Sequence, residues 1–181
     1  DMLPYAARAW WILHYAGHDN VRVLNGGRAA WTDAGGLLEK EARSYKSLVF
    51  GGRFRPERFA NKQAVLAAMD DVDVSVVNVL PLASYEGAHI TGSTCLPCMD
   101  LMQGMDAFLP EDQLALHLKE ATRYQHIITY CGGGIAAAVL IAAVAWFVRS
   151  NGAPASEITG KDGVPAMLVP AGNFTMGDDE E

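Results

Sequence analysis

The chain has 181 residues, half of them hydrophobic, which suffices for one ordinary domain or for one and a half small ones. Its 14 basic and 21 acidic side chains leave a net charge of −7 without a basic block, so no nucleic-acid partner is expected. Three cysteines are too few and too uneven for a disulfide-stapled secreted domain, which points to a reducing, cytoplasmic compartment. The first residues, Asp-Met-Leu-Pro-Tyr, lack the basic stretch and apolar core of a signal peptide, and position 1 is not Met. The chain therefore reads as cut from something longer. Its longest apolar run, Ile135 to Val148, is 14 residues with six alanines, too short for a bilayer, so a buried helix and no membrane partner are expected.

In chain order, residues 4–16 place Tyr5, Ala9, Ile12, Leu13 and Ala16 at helical spacing between Pro4 and Gly17. Val21-Arg22-Val23-Leu24 alternates like a short strand, and Asn25-Gly26-Gly27 leads to a short helix through Ala29, Ala30 and Trp31 that stops at Gly35-Gly36. Residues 37–60 are polar with basic patches, including Arg53, Arg55 and Arg58, and read as a solvated linker with a unit boundary near residue 48. Asn61 caps a helix carrying Val65, Leu66 and Met69, and Val74 to Leu80 is a β-branched run suited to a strand covered on both faces. A turn-rich stretch, Gly87 to Ser93, precedes a short strand over Thr94 to Leu96. A helix follows from Pro110 through Leu118, and His126 to Tyr130 is a strand that runs straight into Cys131. Strands alternating with helices predict an α/β fold with an open, mainly parallel sheet flanked by helices.

The sequence from the last strand, Cys131-Gly132-Gly133-Gly134-Ile135-Ala136, opens the alanine-rich helix. Beyond the carboxyl end of a parallel strand lies the crevice where open α/β sheets bind ligands. Glycines let successive N–H groups converge on an anion or thiolate, and a helix N-terminus favours negative charge there. The residues alone leave two readings open: Cys131 is a nucleophile, or it is a small buried side chain beside glycines that serve close helix packing. The loop has neither Gly-Lys-Ser/Thr nor the spacing of a dinucleotide fingerprint, so no nucleotide cofactor is expected.

Several motifs in order carry a resemblance. Arg8-Ala9-Trp10-Trp11, Gly17-His18, Val21-x-Val23-Leu24-Asn25-Gly26-Gly27, Trp31 and Gly35 resemble the second half of an N-terminal rhodanese domain. The helix after Asn61, the Val76-Val77-Asn78-Val79-Leu80 strand, Tyr85-x-Gly87-x-His89-Ile90-x-Gly92-Ser93 and Tyr130 through Ala136 resemble the catalytic rhodanese domain. The resemblance implies units at 1–48 (a partial N-terminal rhodanese-like domain) and 49–150 (the catalytic one), with 151–181 a linker and the start of another domain. It also implies a tandem-domain sulfurtransferase of the thiosulfate or 3-mercaptopyruvate type. There Cys131 would hold a persulfide within the loop Gly132, Gly133, Gly134, Ile135 and Ala136, taking sulfur from a small donor and passing it to a thiol or cyanide. The glycine after the cysteine is closer to the mercaptopyruvate pattern.

Departures from that pattern are Asn78 where the family has Asp, Leu80 where Arg is frequent, Thr91 for Pro, and Ala136 for Thr or Arg. The turn Asn151 to Pro154 follows the cysteine helix so closely that the sheet is expected to lack its edge strand. Residues 164–181 resemble the opening of a formylglycine-generating, sulfatase-modifying domain, which implies a C-terminal domain fused in the full-length parent. These departures keep a second function in view, a non-catalytic rhodanese module that docks or regulates that domain. Ala137 stands where a Cys-x5-Arg phosphatase needs its arginine. Cys95-Leu96-Pro97-Cys98 has the spacing of a dithiol or of a resolving pair for a Cys131 persulfide, without the strand-then-helix setting of a redox motif, and no metal is expected because zinc would need two more ligands. His18 and His89, at glycine turns, are expected to order loops.

Overall fold

The computed structural model describes residues 2–42, 44–150 and 167–169. Its main sheet has four parallel strands in the order β2-β1-β5-β6. They are β1 (Val74–Asn78), β2 (Thr94–Cys95), β5 (His126–Tyr130) and β6 (Met167–Val169). The register aligns Val74 with His126 and Asn78 with Tyr130, and Asn78 with Cys95 on the other side. A small antiparallel hairpin, β3 (Met102–Gln103) and β4 (Ala107–Phe108), stands apart from this sheet.

Strand alternation sends side chains to two cores. Val77 and Ile127 join Leu101, Leu114, Leu118 and Leu140 on one face, beneath α5 (Glu111–Leu118) and α6 (Ile135–Ser150). Val76 and Ile128 join Val65 and Ala68 of α3 (Lys62–Ala68) and Ile90 on the other. The double coverage explains why β1 and β5 carry β-branched residues on both faces instead of alternating apolar with polar. Each fully buried leucine contributes about 1.5–3 kcal/mol relative to exposure. Asn61 starts α3 as the sequence predicts, its Oδ1 accepting from Ala64 N at 2.9 Å.

The N-terminal segment does not build a core of its own. Helix α1 (Leu3–Tyr15) packs against α6, and Leu3, Ala7 and Trp11 are buried in the same cluster as Ala137, Ala138, Ala142 and Ala143. The alanines of α6 give α1 room to approach closely. Three further attachments reach the hairpin: Leu3 N donates to Met105 O at 2.8 Å, Gly26 N donates to Asp106 O at 2.9 Å, and Phe108 N donates to Asn25 Oδ1 at 2.7 Å. Helix α2 (Gly27–Asp33) follows the glycine pair as expected.

Three expectations need correction. Val21 to Leu24 is not a strand: among the described residues it has no strand beside it, and alternation without a partner does not make a sheet. The main sheet does not lack a strand beyond β5, because Met167–Val169 pairs parallel with Ile128 to Tyr130. That strand lies within the stretch read as linker and new domain; the rest of residues 151–181 lies outside the described residues. Arg55 is not merely a solvated linker residue. Its guanidinium clamps both Asp19 carboxylate oxygens at 2.6 Å, and its N–H caps α1 at Tyr15 O, 2.9 Å away. That hydrogen bond holds the Asp19 carboxyl down to about 2. Burial, followed by the Arg58 charge, pushes His14 below its ordinary value.

Candidate functional site

The carboxyl ends of β2, β1 and β5 share one edge of the sheet, and the backbone ladder continues past each strand. Val79 N donates to Tyr130 O at 3.2 Å, Leu96 N to Asn78 O at 2.8 Å and Cys98 N to Val79 O at 3.0 Å. Cys131 sits at the end of β5 with 8 % of its surface exposed. Gly134 N donates to Cys131 Sγ at 3.0 Å. Such a donor, at the first turn of a 16-residue helix, stabilises negative charge on sulfur.

The three glycines have different roles. Gly134 is buried with φ +75°, a conformation that lets its N–H turn back onto the sulfur and that favours glycine. Gly132 and Gly133 are exposed, and a Cβ on either would meet nothing within 4 Å. They leave the approach to the loop free of side chains. Ile135 and Ala136 are half-buried at the start of α6, and Ala136 offers a substrate no polar group.

Asn78, at the end of the adjacent strand, is 1 % exposed, and its Oδ1 accepts from Leu80 N at 2.9 Å. The amide thus closes the turn after β1 without burying a charge. The residues of the histidine motif make a second network. The Tyr130 hydroxyl accepts from Ile90 N at 3.0 Å and lies 2.9 Å from the Ser93 hydroxyl, and the Tyr85 ring stacks on His89 with centroids 4.0 Å apart. His89 Nδ1 lies 2.8 Å from Tyr85 O, consistent with a loop-ordering role, and His18 is exposed beside Phe50.

Sequence spacing grouped Cys95 with Cys98; the fold instead brings Cys98 to Cys131. Cys98 opens a 3-10 turn (Cys98–Leu101) that packs on α6, and it lies against the same core cluster as Cys131. Burial pushes the Cys98 thiol above its ordinary value, and Cys131 adds to this. Cys95 is also pushed up, by burial and then by Asp100 and Glu86, and its Sγ donates to Leu80 O at 3.8 Å. The sequence offered both Cys95 and Cys98 as partners for Cys131; the fold puts Cys98, rather than Cys95, against the core that holds Cys131. Among the described residues, no three His, Cys, Asp or Glu side chains converge as a metal site. No described helix is long and apolar enough to cross a membrane.

Residues 61–160 match the profile of the Rhodanese-like domain family. The chain is 28 % identical over 152 residues to the 3-mercaptopyruvate sulfurtransferase of Escherichia coli (strain K12), an alignment covering 77 % of this chain and 54 % of that one. It is 28 % identical over 148 residues to a thiosulfate sulfurtransferase of Mus musculus, covering 74 % and 50 %. The crystal structure of the 3-mercaptopyruvate sulfotransferase SseA from Escherichia coli superposes with a TM-score of 0.71 at 26 % identity, over 92 % of this chain and 62 % of that one. The anaerobic ergothioneine biosynthesis enzyme of Chlorobium limicola shares the fold, with a TM-score of 0.74 at 20 % identity over 94 % and 42 %. The chain spans about half the length of the curated relatives it matches. A parallel α/β sheet with a cysteine between its β5 strand and a long helix, matched over 61–160, places the chain in the rhodanese-like domain family.

Proposed function

We propose that the chain is the sulfur-carrying part of a sulfurtransferase in which Cys131 forms a persulfide. The thiolate attacks the outer sulfur of thiosulfate or the thiol sulfur of 3-mercaptopyruvate; the S–S or C–S bond breaks and its electron pair leaves with sulfite or with the pyruvate enolate, which then takes up a proton. The terminal persulfide sulfur then passes to a thiol or cyanide. The observation that carries this reading is the Gly134 N–H aimed at Cys131 Sγ, 3.0 Å away at the start of α6. Gly132 beside the cysteine supplies no cation for a doubly charged donor, which favours 3-mercaptopyruvate over thiosulfate.

The test is intact-mass spectrometry of the full chain after exposure to each donor. The expected product is one sulfur atom heavier at Cys131 and absent from Cys131→Ser; an unmodified Cys131 after both donors overturns the reading.

A second reading, a non-catalytic module serving a fused C-terminal domain, draws on the uncharged Asn78 and on Ala136, which has no polar side chain. Under that reading residues 164–181 open the fused domain. Unchanged activity of the longer protein carrying Cys131→Ser favours it. The units 1–48 and 49–150 and a reducing, cytoplasmic setting belong to the sulfurtransferase reading.

A further inference from the structure

A second sulfur lies at the same sheet edge. Cys98 and Tyr130, the residue before Cys131, flank Val79 through the ladder that runs from Cys98 N to Val79 O and from Val79 N to Tyr130 O. Cys98, Val79 and Cys131 all belong to the core beneath α6. Leu96 packs there as well, so the alternation beyond β2 turns Leu96 and Cys98 to the α6 side and leaves Cys95 facing away. The thiol of Cys95 is accordingly engaged at Leu80 O. Cys95 and Cys98 thus lie on different sides despite their Cys-x-x-Cys spacing.

We propose that Cys98 is an internal acceptor thiol that takes the sulfane sulfur from Cys131 and carries it to a less buried position; this rests on the persulfide reading above. Cys98 is half-buried, whereas Cys131 is buried. In the transfer, the Cys98 thiol loses its proton to solvent and its sulfur attacks the terminal sulfur of the Cys131 persulfide. A bond forms between Cys98 Sγ and that sulfur, and the bond to Cys131 Sγ breaks. Its electron pair returns to Cys131 as the thiolate facing Gly134 N–H. Nothing is oxidised or reduced overall.

Spacing favours transfer over a disulfide. Two inter-strand steps of roughly 4.8 Å separate the backbone of Cys98 from that of Tyr130, the residue before Cys131, beyond the ~7 Å between Cα atoms that a disulfide tolerates. A persulfide extends the reach of Cys131 by one S–S bond, about 2 Å. On this ladder spacing a disulfide is disfavoured, and loading brings the terminal sulfur about 2 Å further out than the bare Cys131 thiol. Burial, and then Cys131, push the Cys98 thiol up, so the transfer is expected to quicken as pH rises.

The experiment is peptide mass spectrometry on the full chain after loading with thiosulfate or 3-mercaptopyruvate and trapping with iodoacetamide at increasing times. Cleavage at Lys119 and Arg123 separates the two cysteines, and a Cys95→Ser background leaves a single thiol in the Cys98 peptide. The extra sulfur is expected first on Cys131 and then on Cys98. In Cys98→Ala it is expected to stay on Cys131, and in Cys131→Ser both positions lose it completely. Sulfur on Cys131 that never reaches Cys98 overturns the relay alone, as does equal labelling of Cys98 in Cys131→Ser. No sulfur on either cysteine overturns the persulfide reading and the relay with it.

Discussion

Two neighbouring strands end in the same way with different atoms. After β1, the Asn78 side chain accepts a backbone N–H from Leu80 at 2.9 Å; after β5, the Cys131 side chain accepts one from Gly134 at 3.0 Å. Both acceptors are buried, and Asn78 pairs in register with Tyr130, one residue before the cysteine. The amide cannot carry a negative charge, so its hydrogen bond only closes a turn. The sulfur can, and beyond it Gly132 and Gly133 leave the approach open. One backbone solution therefore gives a scaffold on one strand and a candidate nucleophile on the next.

The strongest challenge to this contrast is Cys131→Ser, expected to abolish sulfur loading while preserving the fold, as read by intact mass and circular dichroism. Loading that survives in this variant refutes the contrast. Asn78→Ala leaves the Leu80 N–H without its acceptor in a buried setting and is expected to cost about 1–3 kcal/mol in denaturant unfolding. A cost near zero makes the turn after β1 independent of its side chain.

Gly134→Ala forces a side chain into positive φ, with an expected cost on the order of 1–2 kcal/mol. Because the N–H that faces the sulfur moves with it, loading is expected to slow by about tenfold, the equivalent of ~1.4 kcal/mol in a barrier. Rapid-quench loading separates this from simple destabilisation. The smallest effect is expected at Thr129, fully buried beneath α6 with its hydroxyl unpaired. Thr129→Val is expected to stabilise by about 1 kcal/mol without changing loading, which thermal unfolding reads directly.

The parts legible in the sequence were those fixed by local pattern. Val74 to Asn78 and His126 to Tyr130 are rich in β-branched residues on both faces because both faces are covered, and Asn61 announces α3 by its own side chain. The cysteine loop was equally readable from one strand, three glycines and one helix. Pairing was not. Val21 to Leu24 alternates like a strand yet joins no sheet, whereas Met167–Val169 is a three-residue strand in a stretch that read as another domain. The sequence raised Cys95 and Cys98 together as a pair for Cys131, but which of them lies on its side of the sheet needed the order β2-β1-β5, since Cys98 and Cys131 are 33 positions apart in sequence. The ion pair between Arg55 and Asp19 was hidden for the same reason.

Helix α1 has a further consequence. It is buried against α6 and tied to the hairpin at Met105, yet the stretch joining it to the sheet carries Leu37, Leu48 and Val49 almost wholly exposed. A protease that nicks this connection would leave α1 held by packing and hydrogen bonds alone. The helix whose N-terminus faces Cys131 would then owe part of its footing to a peptide no longer covalently attached to it. Alignment of the sulfur with its N–H donor would become a concentration-dependent property, restored by adding the 1–33 fragment back.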